Sequence, residues 1–156
     1  MIDPVNYMHL ATVVRDEIAR LRGSDKNRLE ELAQELLARR LDWYFKNQSL
    51  LNTGIEDVLY SAYQLFLNKL EIAADDAPIV SRNGNKLVLQ SKNFCPTLEA
   101  CKILNLDTRF VCRHLSEMPT TELLRQLHPQ LSFTRNYDKL RPYTPYCEEM
   151  IILDES

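Results

Sequence analysis

Glycine is scarce in this 156-residue chain, with only three residues. That excludes a collagenous or glycine-linker design, and seven prolines are too few for a polyproline one. Long apolar runs are missing as well. No stretch approaches the ~18–20 unbroken apolar residues that a membrane-crossing helix takes. The first residues, MIDPVNYMHL, lack a basic segment leading into an apolar one, so they do not read as a secretory signal. A soluble, cytoplasmic protein with no membrane span is expected. An excess of positive charge is absent too: 19 Lys and Arg stand against 22 Asp and Glu, for a net charge of −3. A generally basic nucleic-acid binder is therefore not expected. Also absent are G-x-G-x-x-G, a Walker A segment, H-E-x-x-H and G-x-S-x-G, which removes the commonest nucleotide, zinc-protease and serine-hydrolase signatures.

What is present is an ordinary globular composition, 45% apolar and 26% charged. Its length suits one domain over residues 1–156 with a core that needs no covalent staples. The first 72 residues carry a helical period. Asp3 and Pro4 suit the start of a helix whose apolar side is Tyr7, Ala11, Val14, Ile18 and Leu21, with Gly23 ending it. Ser24-Asp25 opens a second, striped by Leu29, Leu32, Leu36, Leu37, Leu41, Tyr44 and Phe45. Its charged residues Glu30, Glu31, Glu35, Arg39 and Arg40 are expected on the solvated face. After Thr53-Gly54, a third helix presents Val58, Leu59, Ala62, Tyr63, Phe66 and Leu70.

Beyond Pro78 the period shortens. Residues 79–82 and 85–91 flank Asn83-Gly84, the dipeptide that supplies the positive φ angles of a type I′ hairpin turn. Short helices are expected over Pro96–Leu104, from Asp107 to about Glu117, and from a Thr120 or Thr121 cap to Leu127. Strands are expected at residues 131–135 and 149–153, with Cys147 opening the last one. The fold class is therefore α+β: a helical N-terminal half packed on a small antiparallel sheet, with short helices inserted into the cysteine-bearing part, 79–153.

Cys95, Cys101, Cys112 and Cys147 all fall in that second part. In a reducing compartment such cysteines are free thiols, metal ligands or catalytic groups more often than disulfides. Cys95-Pro96 stands where a strand hands over to a helix, and backbone N–H groups there would favour a thiolate able to act as a nucleophile. Cys101 fits the apolar stripe of its own helix. Cys112, beside His114, points either into the core or toward Cys95. By alternation Cys147 shares a face with Glu149 and Ile151. Catalytic candidates are thus Cys95, with His114 as a proton carrier. Cys95, Cys112 and Cys147 are candidate metal ligands for zinc or an iron–sulfur cluster, with His114, Glu148 or Cys101 as a fourth. The spacing, C-x5-C, then ten residues, then 34, contains no close C-x2–4-C pair of the zinc-ribbon kind. Arg135 and Arg141 are candidate carboxylate anchors, and the tyrosines of the 137–146 loop, Tyr137, Tyr143 and Tyr146, a lid or anion-binding rim. Asp75-Asp76 and Glu148-Glu149 are expected to be solvated, and His9 and His128 structural or exposed.

The series Leu87-Val88-Leu89, Asn93-Phe94-Cys95-Pro96, Val111-Cys112, Leu131-Ser132-Phe133 and Tyr146-Cys147-Glu148 resembles the L-2-amino-thiazoline-4-carboxylic acid hydrolase-like family. It is similar also to small-molecule-binding domains of the 4-vinyl reductase type. The resemblance covers about residues 79–153, matching at Cys95, Cys112 and Cys147. Where the family usually has a glycine before the late cysteine, this chain has Thr144-Pro145-Tyr146. The hydrolase-like members imply opening of a small amino-acid-derived ring by water. The vinyl reductase type implies ligand sensing or carriage, sometimes with cysteine-bound zinc. Both imply a pocket between helices and sheet, often in a homodimer. An interaction role for the N-terminal helices is the third expectation.

Overall fold

The computed structural model describes residues 4–51 and 57–154. Asp3 and Thr53-Gly54 lie outside the described residues, as does the side chain of Tyr7. Within them the chain forms α1 (Pro4–Leu21), α2 (Lys26–Asn47), α3 (Val58–Leu70), β1 (Ile79–Asn83), β2 (Lys86–Ser91), α4 (Pro96–Leu104), α5 (Thr108–Leu115), α6 (Glu117–Leu124), β3 (Leu131–Arg135) and β4 (Cys147–Leu153). This is the expected α+β fold, with three helices before an antiparallel sheet of order β1-β2-β4-β3.

The local reasons follow the sequence. Asp25, Asp57 and Asp107 each accept a backbone N–H in the first turn of the helix they cap, α2, α3 and α5. Gly23, at φ +69, turns the chain between α1 and α2. The hairpin differs from expectation by one position. Asn83 pairs with Lys86, so the two-residue loop is Gly84-Asn85, and only Gly84 takes a positive φ. That suits a turn with glycine first, so the expected type I′ turn at Asn83-Gly84 is not formed. The third short helix also starts earlier. Ser116 stands at the N-cap of α6 and Pro119 falls in its first turn, which leaves Thr120 and Thr121 inside it.

Those two threonines are used for tertiary ties. The Thr121 hydroxyl donates to the Phe133 carbonyl at 3.1 Å and accepts from the Phe133 N–H at 3.0 Å, closing the outer edge of β3. Thr120 donates to Ser116 O and accepts from Arg40 Nη1, both at 2.7 Å. At the opposite edge β1 is exposed along its length and shifts register between Ile79 and Ser81.

Two apolar clusters result. The larger joins α3, α6 and the core face of the sheet around Phe66, Leu87, Leu89, Leu124, Phe133 and Ile151, with the Phe66 and Phe133 rings stacked at 5.4 Å. The smaller joins α1, α2, α4 and α5 around Leu21, Leu29, Leu32, Ala100, Cys101 and Val111. Among the described residues no helix is long and apolar enough to cross a membrane.

Candidate functional site

The functional side chains lie where the core face of the sheet stops being apolar. Side chains alternate along a strand, and the strand register stacks those of one face into rows. The first row is Leu87, Ile151 and Phe133. One step along each strand it becomes Leu89, Glu149 and Arg135, and the next step brings Ser91 opposite Cys147. The sheet thus carries an acid, a base, a hydroxyl and a thiol onto its buried face.

Glu149 and Arg135 form the centre of this polar end. Arg135 Nε donates to Glu149 Oε2 at 3.1 Å, with side chains only 11% and 6% exposed. Ser91 donates its hydroxyl to Glu149 Oε1 in a short contact. The expectation that Glu148-Glu149 is a solvated pair fails for Glu149, because alternation sends it inward with Ile151. Glu148 faces the other way and accepts from Asn136 Nδ2 at 2.8 Å. Arg135 keeps spare donor capacity: among the described residues its Nη1, like the Tyr137 hydroxyl, is buried without a hydrogen-bond partner. Burial works against the guanidinium's charge. The neighbouring Cys112, Glu149 and Tyr137 nevertheless hold its pKa above the ordinary value.

Around this pair is a cavity of two chambers. The inner one, about 80 Å³, is lined by Cys95, Cys112, Cys147, Arg135, Arg141 and Glu149. The outer one, about 240 Å³, shares Cys95, Cys112 and Arg135 and extends to Arg39, Arg40 and Glu17. It runs along the seam between the two apolar clusters, with Leu32 and Leu115 on one side and Leu70 and Ile72 on the other. A water occupies ~30 Å³ of liquid, so the inner chamber suits a carboxylate-sized group. The two together reach the lower end of the ~300–1,000 Å³ range of small-molecule sites.

Three of the four cysteines therefore meet at one hollow. Cys95 arrives from the start of α4. Cys112 lies on the α5 stripe of Thr108, Val111 and Leu115, and Cys147 opens β4. Cys101, 1% exposed, packs in the smaller cluster as its stripe position implied. All four are free. The thiolate expected at Cys95 is not favoured. Burial raises its pKa, offset only in part by the Leu98 backbone N–H and by Arg141 and Arg135. Burial likewise pushes Cys112 up to about 12.

These sulfurs do not fit a zinc or iron–sulfur site. Among the described residues no three His, Cys, Asp or Glu side chains gather closely enough to hold a metal ion. The fourth ligands considered do not repair this. Cys101 is in the core and Glu148 points to the other face of the sheet. His114, two residues from Cys112, is about 200° away around α5. Its Nδ1 lies 3.9 Å from Glu30 Oε1 and its ring packs on Phe110 at 4.6 Å. It does not border the cavity, so the fold does not bring the expected proton carrier to Cys95.

The 136–146 loop is only partly in the site. Arg141 Nε donates to Cys147 Sγ at 3.2 Å and its Nη1 to Asn93 O at 2.7 Å, while Thr108 donates to the Arg141 carbonyl at 2.7 Å. Tyr137 and Tyr146 do not border the cavity. Arg113 covers the Tyr137 ring at 4.3 Å, and burial pushes the Tyr137 hydroxyl up to about 12. Tyr146 offers its carbonyl to the Thr144 hydroxyl. Tyr143 instead leans on Asp107 and Arg109.

Arg40 is the residue that sequence reasoning misplaced. It is buried, at 6% exposure, rather than solvated. The signal was its spacing: four residues after Leu36 and four before Tyr44, it falls on the apolar stripe of α2. Glu17 was missed as well. It accepts from Arg20 Nε at 2.9 Å and from the Thr97 hydroxyl at 2.8 Å, closing the outer chamber between α1 and α4. Comparison with family models, curated proteins and solved structures finds no match for this chain.

Proposed function

We propose that this protein binds a small anionic metabolite in the two-chamber cavity, as a ligand carrier or sensor. One observation carries the reading. Among the described residues, Arg135 borders both chambers with a buried Nη1 that has no hydrogen-bond partner of ordinary geometry, as has the hydroxyl of the neighbouring Tyr137. A buried unmatched donor costs ~1–3 kcal/mol, and a ligand carboxylate in the inner chamber would remove that cost. The resemblance of residues 79–153 to vinyl reductase-type domains agrees with carriage, and the protonated thiols of Cys95 and Cys112 serve as walls. The test is calorimetric titration of the full chain with acetate and butyrate, alongside alkylation of Cys95 and Cys147 by iodoacetamide. Binding that shields those thiols, and that is lost in Arg135→Gln, supports the reading. Equal alkylation with and without either carboxylate defeats it.

A second reading is a cysteine-dependent hydrolase of a small amino-acid-derived substrate, as the hydrolase-like resemblance implies. The contact that favours it is Arg141 Nε on Cys147 Sγ, a guanidinium donor held on a sulfur inside the cavity. Incubation with 2-amino-thiazoline-4-carboxylic acid, followed by mass spectrometry, decides it: ring opening abolished by Cys147→Ser and by Cys95→Ser would establish the enzyme.

A further inference from the structure

The outer chamber holds more positive charge than the protein neutralises. Glu149 answers Arg135 at 3.1 Å and Glu17 answers Arg20 at 2.9 Å. Arg39 and Arg40 also border the chamber, and among the described residues no carboxylate lies within ion-pair distance of either. Arg40 is the more telling of the two, because Arg39 is exposed whereas Arg40 is only 6% so, and among the described residues its hydrogen bond goes to a neutral hydroxyl, Thr120 Oγ1. Buried charges in proteins are ordinarily paired or coordinated. Here the nearby charges that act on Arg40 are themselves cations, Arg135 and Arg39. Lys69 on α3 is close enough to feel Arg40 as well. Burial first, then these neighbours, bring the Arg40 guanidinium down to about 10, still charged at neutral pH. A chain of net charge −3 thus concentrates cations at the mouth of one cavity.

We propose that Arg39 and Arg40 form a dianion subsite in the outer chamber, and that the ligand carries a phosphoryl group there. This rests on the anion-binding reading above and names its ligand class. The buried guanidinium of Arg40 and the solvent-exposed one of Arg39 beside it together match a charge of −2. Their crowding against Arg135 favours one compact tetrahedral group over two separated carboxylates, since guanidinium forks address several phosphate oxygens at once. The apolar walls, Leu32, Leu36, Leu70 and Ile72, leave room for a small organic body beside it.

The experiment titrates the full chain with methyl phosphate, sulfate and acetate by calorimetry at pH 5.0 and pH 7.5. Methyl phosphate is expected to bind tightest. Its affinity should rise about tenfold between the two pH values as its second proton, of pKa ~6, is lost. Sulfate, dianionic throughout, should change little; that control separates the ligand's titration from any change in the site, whose facing acids are Glu17 and Glu149. Arg40→Met should weaken methyl phosphate about ten- to hundredfold, as loss of a charged hydrogen bond does, while leaving acetate unaffected. It should also leave the ligand-free protein as stable as before or more so, because an uncompensated buried charge has been removed; Thr120 keeps its bond to Ser116. If Arg40 is merely a strut between α2 and α6, the same variant unfolds at lower temperature and methyl phosphate binds it unchanged, which overturns the proposal. Acetate binding that depends on Arg135, with methyl phosphate no tighter than acetate, overturns the dianion subsite and leaves the anion reading standing. Binding of none of the three anions removes both.

Discussion

Removing the negative charge of Glu149 is the most direct probe of the polar end of the sheet. With N and O at 3.1 Å and an effective dielectric of ~20, the gross attraction between Arg135 and Glu149 is about 5 kcal/mol, much of it offset by desolvation of two nearly buried side chains. The net worth of the pair is therefore small, but breaking it is costly, because the surviving guanidinium stays buried without an answer. Glu149→Gln keeps the shape, and its amide can still meet both Ser91 and Arg135, so its cost lies near the lower end of the ~3–5 kcal/mol range for a broken buried pair. Glu149→Leu also leaves the Ser91 hydroxyl without its acceptor, and belongs at the upper end. At ~2–4 °C per kcal/mol for a chain of this size, Glu149→Gln should lower Tm by about 6–12 °C. Urea unfolding followed by far-UV circular dichroism and by the fluorescence of the single tryptophan, Trp43, measures the free energy. The double variant Arg135→Met/Glu149→Leu should recover most of the loss, since neither charge remains buried. Should Glu149→Gln fall within 1 kcal/mol of the parent, or the double variant equal the sum of the singles, the two residues are not the energetic unit described here.

Three further outcomes are expected. Thr121→Val preserves shape but leaves the Phe133 N–H and carbonyl at the β3 edge without their partner, and should cost about 1–3 kcal/mol by urea unfolding; an unchanged midpoint would show that the edge is satisfied without it. Cys101 and Cys112, both pushed up to about 12 by burial, should react with iodoacetamide at pH 8 at least about a hundredfold more slowly in the native protein than in urea, as peptide mass spectrometry resolves; equal rates would contradict the burial. The same two thiols make stability fall at alkaline pH. Unfolded, each loses its proton near pH ~8.5 while the folded form retains it, so the stabilisation is fully present below ~8.5 and is lost as pH climbs toward 12, at up to about 1.4 kcal/mol per pH unit per thiol. Cys101→Ala should flatten that limb, and a parent and variant with the same slope between pH 9 and 11 would refute the linkage.

The helices and strands were legible because each rests on a local rule. Asp25 and Asp107 cap where a side-chain oxygen can reach the first-turn N–H groups. Leu59, Ala62, Tyr63 and Phe66 recur at helical spacing and are buried together. The hairpin was legible only to within one residue, because Asn83-Gly84 and Gly84-Asn85 both offer a glycine to the turn and the ladder to β4 fixes the register. The site was legible in part. Alternation along β4 did bring Cys147, Glu149 and Ile151 to one face. Three things were missed, and only the first of them lies beyond what spacing carries. Whether Cys95 is a thiolate depends on how deeply α4 and α5 bury it, and that outweighs the helix N-terminus. His114 was judged by its closeness to Cys112 in the chain, whereas a helix sends neighbours two apart to opposite sides. Arg40 and Glu149 were judged by residue type, although their periodicity already placed each on an apolar stripe.

That last pattern links the fold to the site. A charged residue on an apolar stripe costs free energy in an uninterrupted core, and here two stripes place one each at the same seam. The α2 stripe runs Leu29, Leu32, Leu36 and then Arg40. The β4 stripe runs inward from Ile151 to Glu149 and Cys147, opposite Arg135 on β3. The two clusters do not close over this region, and the cavity lies between them. Filling it with apolar side chains would be the simpler way to stabilise the fold, since a well-packed hydrophobic replacement of a buried ion pair is often neutral or better. Stability alone therefore does not account for Arg135, Glu149 and Arg40 together. An anion that enters the seam does, because it satisfies Arg135 Nη1 and the charge of Arg40 at once. The same contacts would join α2 and β3, on opposite sides of the seam, so ligand binding should stiffen the molecule across it. Hydrogen exchange slowed in α2 and β3 together on adding methyl phosphate would show that coupling, and slowing confined to one of them would disprove it.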